Sequence, residues 1–190
     1  AQGKVRQWSQ VNPSWPSQPM KLFGPGADSG TFDYFTEAIV GKSKSSRGDF
    51  TASEDDNVLV QGVSRDVNGL GYFGFAYYVE NQDKLKAVPI VNEKGQPVSP
   101  SMEAVEKGTY SPLSRPIFIY VSARGLAEKP HLREFVEFYL KHGGALAKEV
   151  KYVPLPDAAY KSAWDHVVHM KKGTVFAGEA EVGVTIEELL

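Results

Sequence analysis

Residues 21–35 read Lys21-Leu-Phe-Gly-Pro-Gly-Ala-Asp-Ser-Gly-Thr-Phe-Asp-Tyr-Phe35, and this stretch decides the fold. The pattern predicts a strand over residues 20–24, a glycine-rich turn, and a helix over about residues 30–40 that begins at Ser29-Gly30-Thr31. The first turn of a helix has N–H groups without intrahelical partners and carries a partial positive charge. A compact oxyanion can therefore bind there, and an ordinary N-cap is the alternative interpretation of Ser29.

The composition limits the classes of function. The chain has 190 residues and a formal net charge of −2, so no strongly basic surface favours nucleic acid as a partner. It contains no cysteine, which excludes disulfides, thiol nucleophiles and cysteine metal ligands. No apolar run approaches the ~20 residues of a membrane span. A chain that begins at Ala1 is expected to be processed or truncated.

Helical and strand patterns alternate along the chain, which predicts an α/β architecture. The helix over residues 30–40 is expected to end at Gly41. Its predicted buried face consists of Phe32, Phe35, Ile39 and Val40. The other predicted elements are a loop over 42–52, a helix capped by Ser53 that buries Val58, Leu59 and Val63, an aromatic strand over 72–78, a strand over 85–91, a helix over 101–107, a buried strand over 117–122, a helix over 131–141 ended by Gly143-Gly144, a helix over 157–169, and a tail from residue 173 with β-like alternation.

Two polar patterns are weak candidates for a site. His166 and His169 lie three apart on a predicted helix, but no third ligand has a suitable spacing, so a structural or surface role is favoured over a metal. The acidic run Glu54-Asp55-Asp56 opens a predicted helix, where acids ordinarily match the helix dipole. The glycines near residue 24 lack the spacing of a nucleotide loop, so no cofactor is predicted.

Arg47 is a stronger candidate. It lies in the loop Ser45-Ser46-Arg47-Gly48-Asp49 between two predicted helices. Its guanidinium could give an oxyanion the two parallel hydrogen bonds that such groups accept well. The alternative is a solvated loop arginine.

Several segments together resemble one protein family. They are Trp8-Ser-Gln-Val-Asn-Pro13, the run from Phe23 to Phe35, Asn68-Gly-Leu-Gly-Tyr-Phe-Gly-Phe-Ala-Tyr-Tyr78, Tyr110-Ser-Pro-Leu-Ser-Arg-Pro-Ile-Phe-Ile-Tyr120, residues 135–140, and Val153-Pro-Leu-Pro156. The chain resembles the periplasmic phosphate-binding proteins of ABC transporters, which are type II solute-binding proteins. The resemblance is closest to the branch typical of cyanobacteria.

The resemblance implies a two-lobed α/β fold. Residues 1–112 would form the complete second lobe with the Ser-Gly-Thr anion motif, and residues 113–190 the crossover strand and the C-terminal part of the first lobe. Such proteins are usually longer, so an N-terminal segment with further phosphate ligands is expected to be missing. Without that segment's ligands, phosphate binding is expected to be weaker than in a complete relative. The apolar run 117–121 and the helix around Phe135 would also lack packing partners, which favours pairing of the chain with itself or with a complementary chain.

The resemblance also implies a function, namely binding of inorganic phosphate without catalysis and its delivery to the membrane permease of an ABC transporter. The expected location is periplasmic, or extracellular and associated with the membrane through the transporter. Ser29, Gly30 and Thr31 would bind the anion. Many members carry an arginine four residues before the serine, where this chain has Pro25, and Arg47 is the expected substitute. The alternatives are another tetrahedral oxyanion as ligand, or a phosphatase-like hydrolase with Ser29 or Thr31 as nucleophile.

Overall fold

A computed structural model describes residues 3–174, 176 and 182 of the chain. The chain divides into two compact units, Ala1–Val88 (unit 1) and Pro89–Leu190 (unit 2). Both combine helices with a small sheet, which confirms the predicted α/β class. The lobe boundary between residues 112 and 113 is a different kind of division and stays a prediction.

Unit 1 is organised by parallel strands. Its elements are a 3-10 helix (Trp8–Gln10), β1 (Lys21–Pro25), α1 (Gly30–Val40), β2 (Thr51–Ser53), α2 (Asp56–Arg65), β3 (Gly69–Gly71) and α3 (Phe75–Glu80). The three strands form a parallel sheet in the order β2-β1-β3. Phe23 on the central strand pairs with Thr51 on one side and with Gly71 on the other.

Helix α1 begins and ends where the sequence predicts. Gly41 follows it in the left-handed conformation, with φ of 75°, which glycine adopts without strain. The predicted buried face is wrong in its second half, because Ile39 and Val40 are exposed. The buried residues are Phe32 and Thr36, which lie one turn apart. The helix therefore packs through its first two turns, and its last turn faces solvent.

The hydroxyl of Thr36 links α1 to the segment that follows it. It donates to the carbonyl oxygen of Phe32 at 2.9 Å and accepts from the backbone N–H of Lys44 at 2.8 Å. A single hydroxyl can do both, and Thr36 is only 2% exposed. The segment that leaves α1 is thereby fixed to the helix before it returns to the sheet.

The loop predicted over residues 42–52 is too long, because it overlaps the start of a strand. Thr51–Ser53 form β2, because they pair with β1 over three residues, and such pairing is a tertiary effect that local sequence does not encode. Ser53 is consequently not the cap of α2. Asp55 is the N-cap, and its carboxylate accepts from the N–H of Asn57 at 2.9 Å.

Helix α2 packs closely on β1. Leu59 and Val60 are buried as the core of this contact, whereas Val58, predicted to be buried, is 48% exposed. Gly62 faces the ring of Phe23: a Cβ at this position would lie 2.3 Å from a ring carbon. The glycine therefore sets how closely the helix and the central strand approach.

The aromatic strand predicted over residues 72–78 is wrong. The strand is the shorter β3, whose residues pair with Lys21–Phe23, and the aromatic residues that follow form α3. Gly74 is the N-cap of α3, and its carbonyl oxygen accepts from the N–H of Tyr77 at 3.1 Å. Alternation of small and aromatic residues thus marks a helix start here rather than a strand.

Unit 2 is mainly helical. Its elements are β4 (Ile90–Val91), β5 (Pro97–Val98), α4 (Met102–Glu106), α5 (Ala123–Glu128), α6 (Pro130–Glu149) and α7 (Asp157–Val168). The strand predicted over residues 85–91 is reduced to β4, which forms an antiparallel hairpin with β5. The helices predicted over 101–107 and 157–169 are confirmed as α4 and α7.

The glycine pair Gly143-Gly144 does not end α6, which continues for five more residues. Both glycines face the ring of Tyr160 on α7, and a Cβ at Gly143 would lie 3.2 Å from a ring carbon. The pair therefore makes room for an aromatic ring between two helices. Behind this contact lies the core of unit 2, formed by Leu126, Val136 and Leu140.

The run 117–122 is not the buried strand that its composition predicts. Ile117 is 67% exposed and Tyr120 is 80% exposed, and Phe135 on α6 is 61% exposed. The expectation that this run and the helix around Phe135 are short of packing partners is therefore confirmed. The tail from residue 173 lies mostly outside the described residues.

In unit 1, Arg47 joins the first residues of the chain to the loop before β2. Its guanidinium binds both carboxylate oxygens of Asp49, with Nη2 2.7 Å from Oδ2, and its Nη1 donates to the carbonyl oxygen of Val5 at 2.8 Å. The hydrogen bond from Arg47 is the main cause that lowers the pKa of Asp49 to about 2. The same hydrogen bond raises the pKa of Arg47.

We expect Gly62→Ala to lower the free energy of unfolding by about 1–3 kcal/mol, because the added methyl group would clash with Phe23. The higher helix propensity of alanine offsets about 1 kcal/mol of that loss. Urea unfolding would measure the change. Gly48→Ala is the control, since a Cβ there meets no atom within 4 Å. Equal stability of the two variants would contradict this packing.

The Arg47–Asp49 pair predicts a pH dependence of stability. The pKa of Asp49 is lower in the folded chain, about 2, than its ordinary value of 3.8. The stabilisation from this pair is therefore complete above pH ~4 and is lost as the pH falls towards 2. In Asp49→Asn, the urea midpoint should depend less on pH over that window. Arg47→Lys, which keeps the charge but not the bidentate contact, should do so partly. A wild-type slope in Asp49→Asn would contradict the assignment.

Candidate functional site

The start of α1 has the geometry that the sequence predicts. Ser29 is its N-cap, and the Oγ atom accepts from the N–H of Thr31 at 3.2 Å. The N–H of Ser29 donates to the carbonyl oxygen of Gly26 at 3.1 Å, which closes the turn after β1. Gly30 is exposed, and Ser29 and Thr31 are half-buried. The capping interpretation of Ser29 is thus confirmed, and its hydroxyl proton can still be donated to a bound anion.

Parallel strands place this helix start beside two other segments. In a parallel sheet the carboxyl ends of all strands meet at one edge. The segments that follow β1, β2 and β3, over residues 26–29, 54–55 and 72–74, therefore share that edge. The carboxyl edge of a parallel sheet is the usual position of a ligand in α/β folds.

A stacked aromatic pair joins α1 to the segment that follows β3. The ring of Tyr72 stacks on Phe35 with centroids 3.8 Å apart and planes 12° apart. Gly24 gives the ring its place, because a Cβ there would lie 2.8 Å from the Tyr72 ring. Burial raises the pKa of Tyr72 to about 12, so its phenol stays neutral at any physiological pH. This packing holds α1 in a fixed direction relative to β1.

Each carboxylate of the acidic run Glu54-Asp55-Asp56 accepts a hydrogen bond from a different backbone N–H group. Asp55 caps α2. Asp56 accepts from the N–H of Gly74 at 3.4 Å, and burial raises the pKa of its carboxyl. Glu54 instead reaches the turn before α1, where its Oε1 accepts from the N–H of Asp28 at 3.3 Å. The sequence gives no sign of this last contact, because it depends on the pairing of β1 with β2.

The guanidinium of Arg47 is hydrogen-bonded to other groups of the protein in this structure. Its guanidinium is engaged by Asp49 and by the carbonyl of Val5. It precedes the amino end of β2, whereas Ser29 follows the carboxyl end of β1. The contacts of Arg47 therefore belong to the other edge of the sheet, and its predicted role as a phosphate ligand stays a prediction.

Each of the two histidines weighed as metal ligands contacts a nearby residue of its own helix or the segment after it. Nδ1 of His169 lies 3.1 Å from a carboxylate oxygen of Asp165, and Nε2 of His166 lies 3.1 Å from Nζ of Lys171. Among the described residues, no group of three His, Cys, Asp or Glu side chains could hold a metal ion. Within the same part of the chain, no helix combines the length and the apolar composition that crossing a membrane would require.

Comparison with known proteins gives related sequences. Protein SphX of Synechococcus elongatus is 55% identical over 190 residues, which is all of this chain and 56% of that protein. Phosphate-binding protein PstS of Staphylococcus haemolyticus is 38% identical over 172 residues, 90% of this chain and 52% of that protein. The chain thus spans about half the length of the curated relatives that it matches.

A solved structure is also similar to this chain. A possible phosphate-binding protein from Planctomyces limnophilus has a TM-score of 0.76 and 46% identity, over 90% of this chain and 61% of that one. The family model described as the PBP superfamily domain matches residues 1–142, and therefore includes all of unit 1 with Ser29. The chain belongs to the PBP superfamily.

Proposed function

We propose that the chain is part of a binding protein for inorganic phosphate, with the anion on the first turn of α1. The observation that carries this proposal is the partly exposed helix start Ser29-Gly30-Thr31 at the carboxyl edge of the sheet. Its support is the relationship to phosphate-binding protein PstS.

The chemistry of this helix start suits a tetrahedral oxyanion. The N–H groups of the first turn have no intrahelical acceptor, and the helix dipole adds positive potential at the same place. The hydroxyl of Ser29 can donate as well. The aromatic packing of Tyr72 on Phe35 fixes these donors before the ligand arrives, which lowers the entropic cost of binding.

The hydrolase alternative has less support. A serine nucleophile needs a base within hydrogen-bond reach, and the hydroxyl of Ser29 has the backbone N–H of Thr31 as its partner. That donor can fix the hydroxyl but cannot remove its proton. We therefore favour binding without catalysis, and another tetrahedral oxyanion remains the alternative as ligand.

We further infer a role in phosphate uptake, in which the loaded protein delivers its ligand to an ABC permease outside the cytoplasm. In this proposal residues 1–112 form the second lobe and residues 113–190 form part of the first. A two-lobed binder encloses its ligand between lobes, so each lobe supplies part of the ligand shell. We expect the chain alone to bind phosphate more weakly than the full-length relatives.

The exposed apolar surface of unit 2 supports a complementary chain or segment as a partner. Residues 119–122 border a groove of about 220 Å³ together with Phe135 and Tyr139 of α6. Contiguous apolar surface of this kind marks an interaction site. Because the chain covers 56% of its relative from Synechococcus, the rest of a full-length protein is the occupant that we propose.

Ser29→Ala should weaken phosphate binding about tenfold or more, because a hydrogen bond to a charged ligand is lost. Phosphorus NMR titration of the purified chain would measure the dissociation constant. The matched control is Ser101→Ala, which removes the N-cap of α4 in unit 2. Both variants lose a helix cap and about 1 kcal/mol of stability. Only the first should lose affinity, and equal affinities in both variants would contradict the site.

The apolar surface gives a second test. Sedimentation of the chain should show association that rises with concentration, or capture of the remaining portion of the Synechococcus relative when the two are mixed. Replacing Tyr120 and Phe135 by serine should reduce either effect about tenfold or more. The control is Val67→Ser, since Val67 is 98% exposed on unit 1. A chain that stays monomeric and does not bind the added portion would contradict the proposed partner.

A further inference from the structure

Helix α6 has a second apolar face besides the one that packs within unit 2. Val136 and Leu140 are buried, and α6 contacts α5 and α7. Phe135 and Phe138 lie on a different side of the helix, because successive residues are about 100° apart around its axis, and both are exposed. The packing of unit 2 therefore leaves this side of α6 in contact with solvent.

The residues on this side, which we call the outer face of α6, have the spacing of a helix-pairing seam. They follow one another at intervals of three, four and three residues, and all are exposed: Phe135, Phe138, His142 and Ala145. Residues at this spacing stay on one side of a helix and pack against the same pattern on a second helix. Phe135 also borders the groove of unit 2, whereas the other three residues do not line it.

A row of charges follows one flank of the outer face. Glu134, Lys141 and Lys148 are seven residues apart, so they lie in line along the helix. All three are exposed, and none has a salt-bridge partner among the residues that the structure describes. The row is acidic near the amino end of the helix and basic near its carboxyl end.

This order of charges complements a copy of itself that runs in the opposite direction. In an antiparallel pair of α6 helices, Glu134 of each copy faces Lys148 of the other, and twofold symmetry makes this contact occur twice. A parallel pair would instead place Glu134 opposite Glu134 and Lys148 opposite Lys148, and like charges in such positions are destabilising. The charges therefore favour the antiparallel direction.

The apolar residues fit the same alignment. It places Phe135 opposite Ala145 and Phe138 opposite His142 of the second copy, so each layer combines a larger side chain with a smaller one. Phenyl and imidazole rings already pack together on this face, since the ring centroids of Phe138 and His142 within one helix are 4.6 Å apart. Shape and charge thus point to one register.

We propose that the outer face of α6 binds a second copy of this chain, with the two α6 helices antiparallel about a twofold axis near Lys141. A seam from Phe135 to Ala145 is about 15 Å long, which is short for a protein interface, so the pair dissociates readily on dilution. This inference goes beyond the proposed function, because it needs neither an anion at Ser29 nor a partner in the groove.

Two lysine variants with the same change in net charge give the sharpest test. Lys148→Gln removes an attraction to Glu134 of the second copy at two places, and should weaken self-association about threefold or more. Lys141→Gln removes the repulsion between two lysines at the twofold axis, and should strengthen self-association about twofold. Sedimentation velocity over a concentration series at low ionic strength would measure both. A shift in the same direction for both variants would reveal an unspecific charge effect and overturn the inference.

A charge swap tests the direction of the helices. Glu134→Lys should weaken self-association about tenfold, because lysine would then face Lys148 of the second copy. Adding Lys148→Glu to this variant should return the dissociation constant to within about twofold of the original. No recovery in the double variant would overturn the inference, and so would a chain that stays monomeric at the highest concentration. Phosphate binding that depends on Ser29 would leave the proposed function standing in either case.

Discussion

Everything in unit 1 depends on β1 having a parallel partner on each side. Two parallel neighbours oblige the chain to leave all three strands at the same edge of the sheet. This constraint brings the turn before α1, the acidic run after β2 and the glycine before α3 together, although they are separated by up to 48 residues in sequence (Gly26 to Gly74). The possible chemistry of the edge then follows from which atoms each segment presents there.

Glycines in unit 1 make room for side chains of neighbouring elements. Gly62 admits the ring of Phe23, Gly24 admits Tyr72, and Gly26 admits the carboxylate of Glu54. In each case the absent Cβ is replaced by a side chain from a different element. The same solution recurs in unit 2, where Gly143 and Gly144 face Tyr160. Close packing of this kind helps to hold these side chains in place.

Local patterns in the sequence predict α1 well, because the cap Ser29 and the terminating Gly41 act within a few residues of the helix. They fail where tertiary contacts decide. The strand β2 is short and polar and exists because β1 pairs with it. The glycine pair in α6 looks like a helix end until Tyr160 is placed against it. For the site, the helix start was predictable, whereas the position of Glu54 required knowledge of the strand order.

The bond between Arg47 and Val5 has a consequence for how the beginning of the chain can vary. Arg47 donates to the main-chain carbonyl of Val5, whose side chain is partly exposed. Every amino acid supplies that carbonyl, so residue 5 is free to change in identity while its backbone position is not. Among homologues we therefore expect diverse residues at position 5 beside an arginine that coincides with Arg47, and a conserved length of the segment between position 5 and β1.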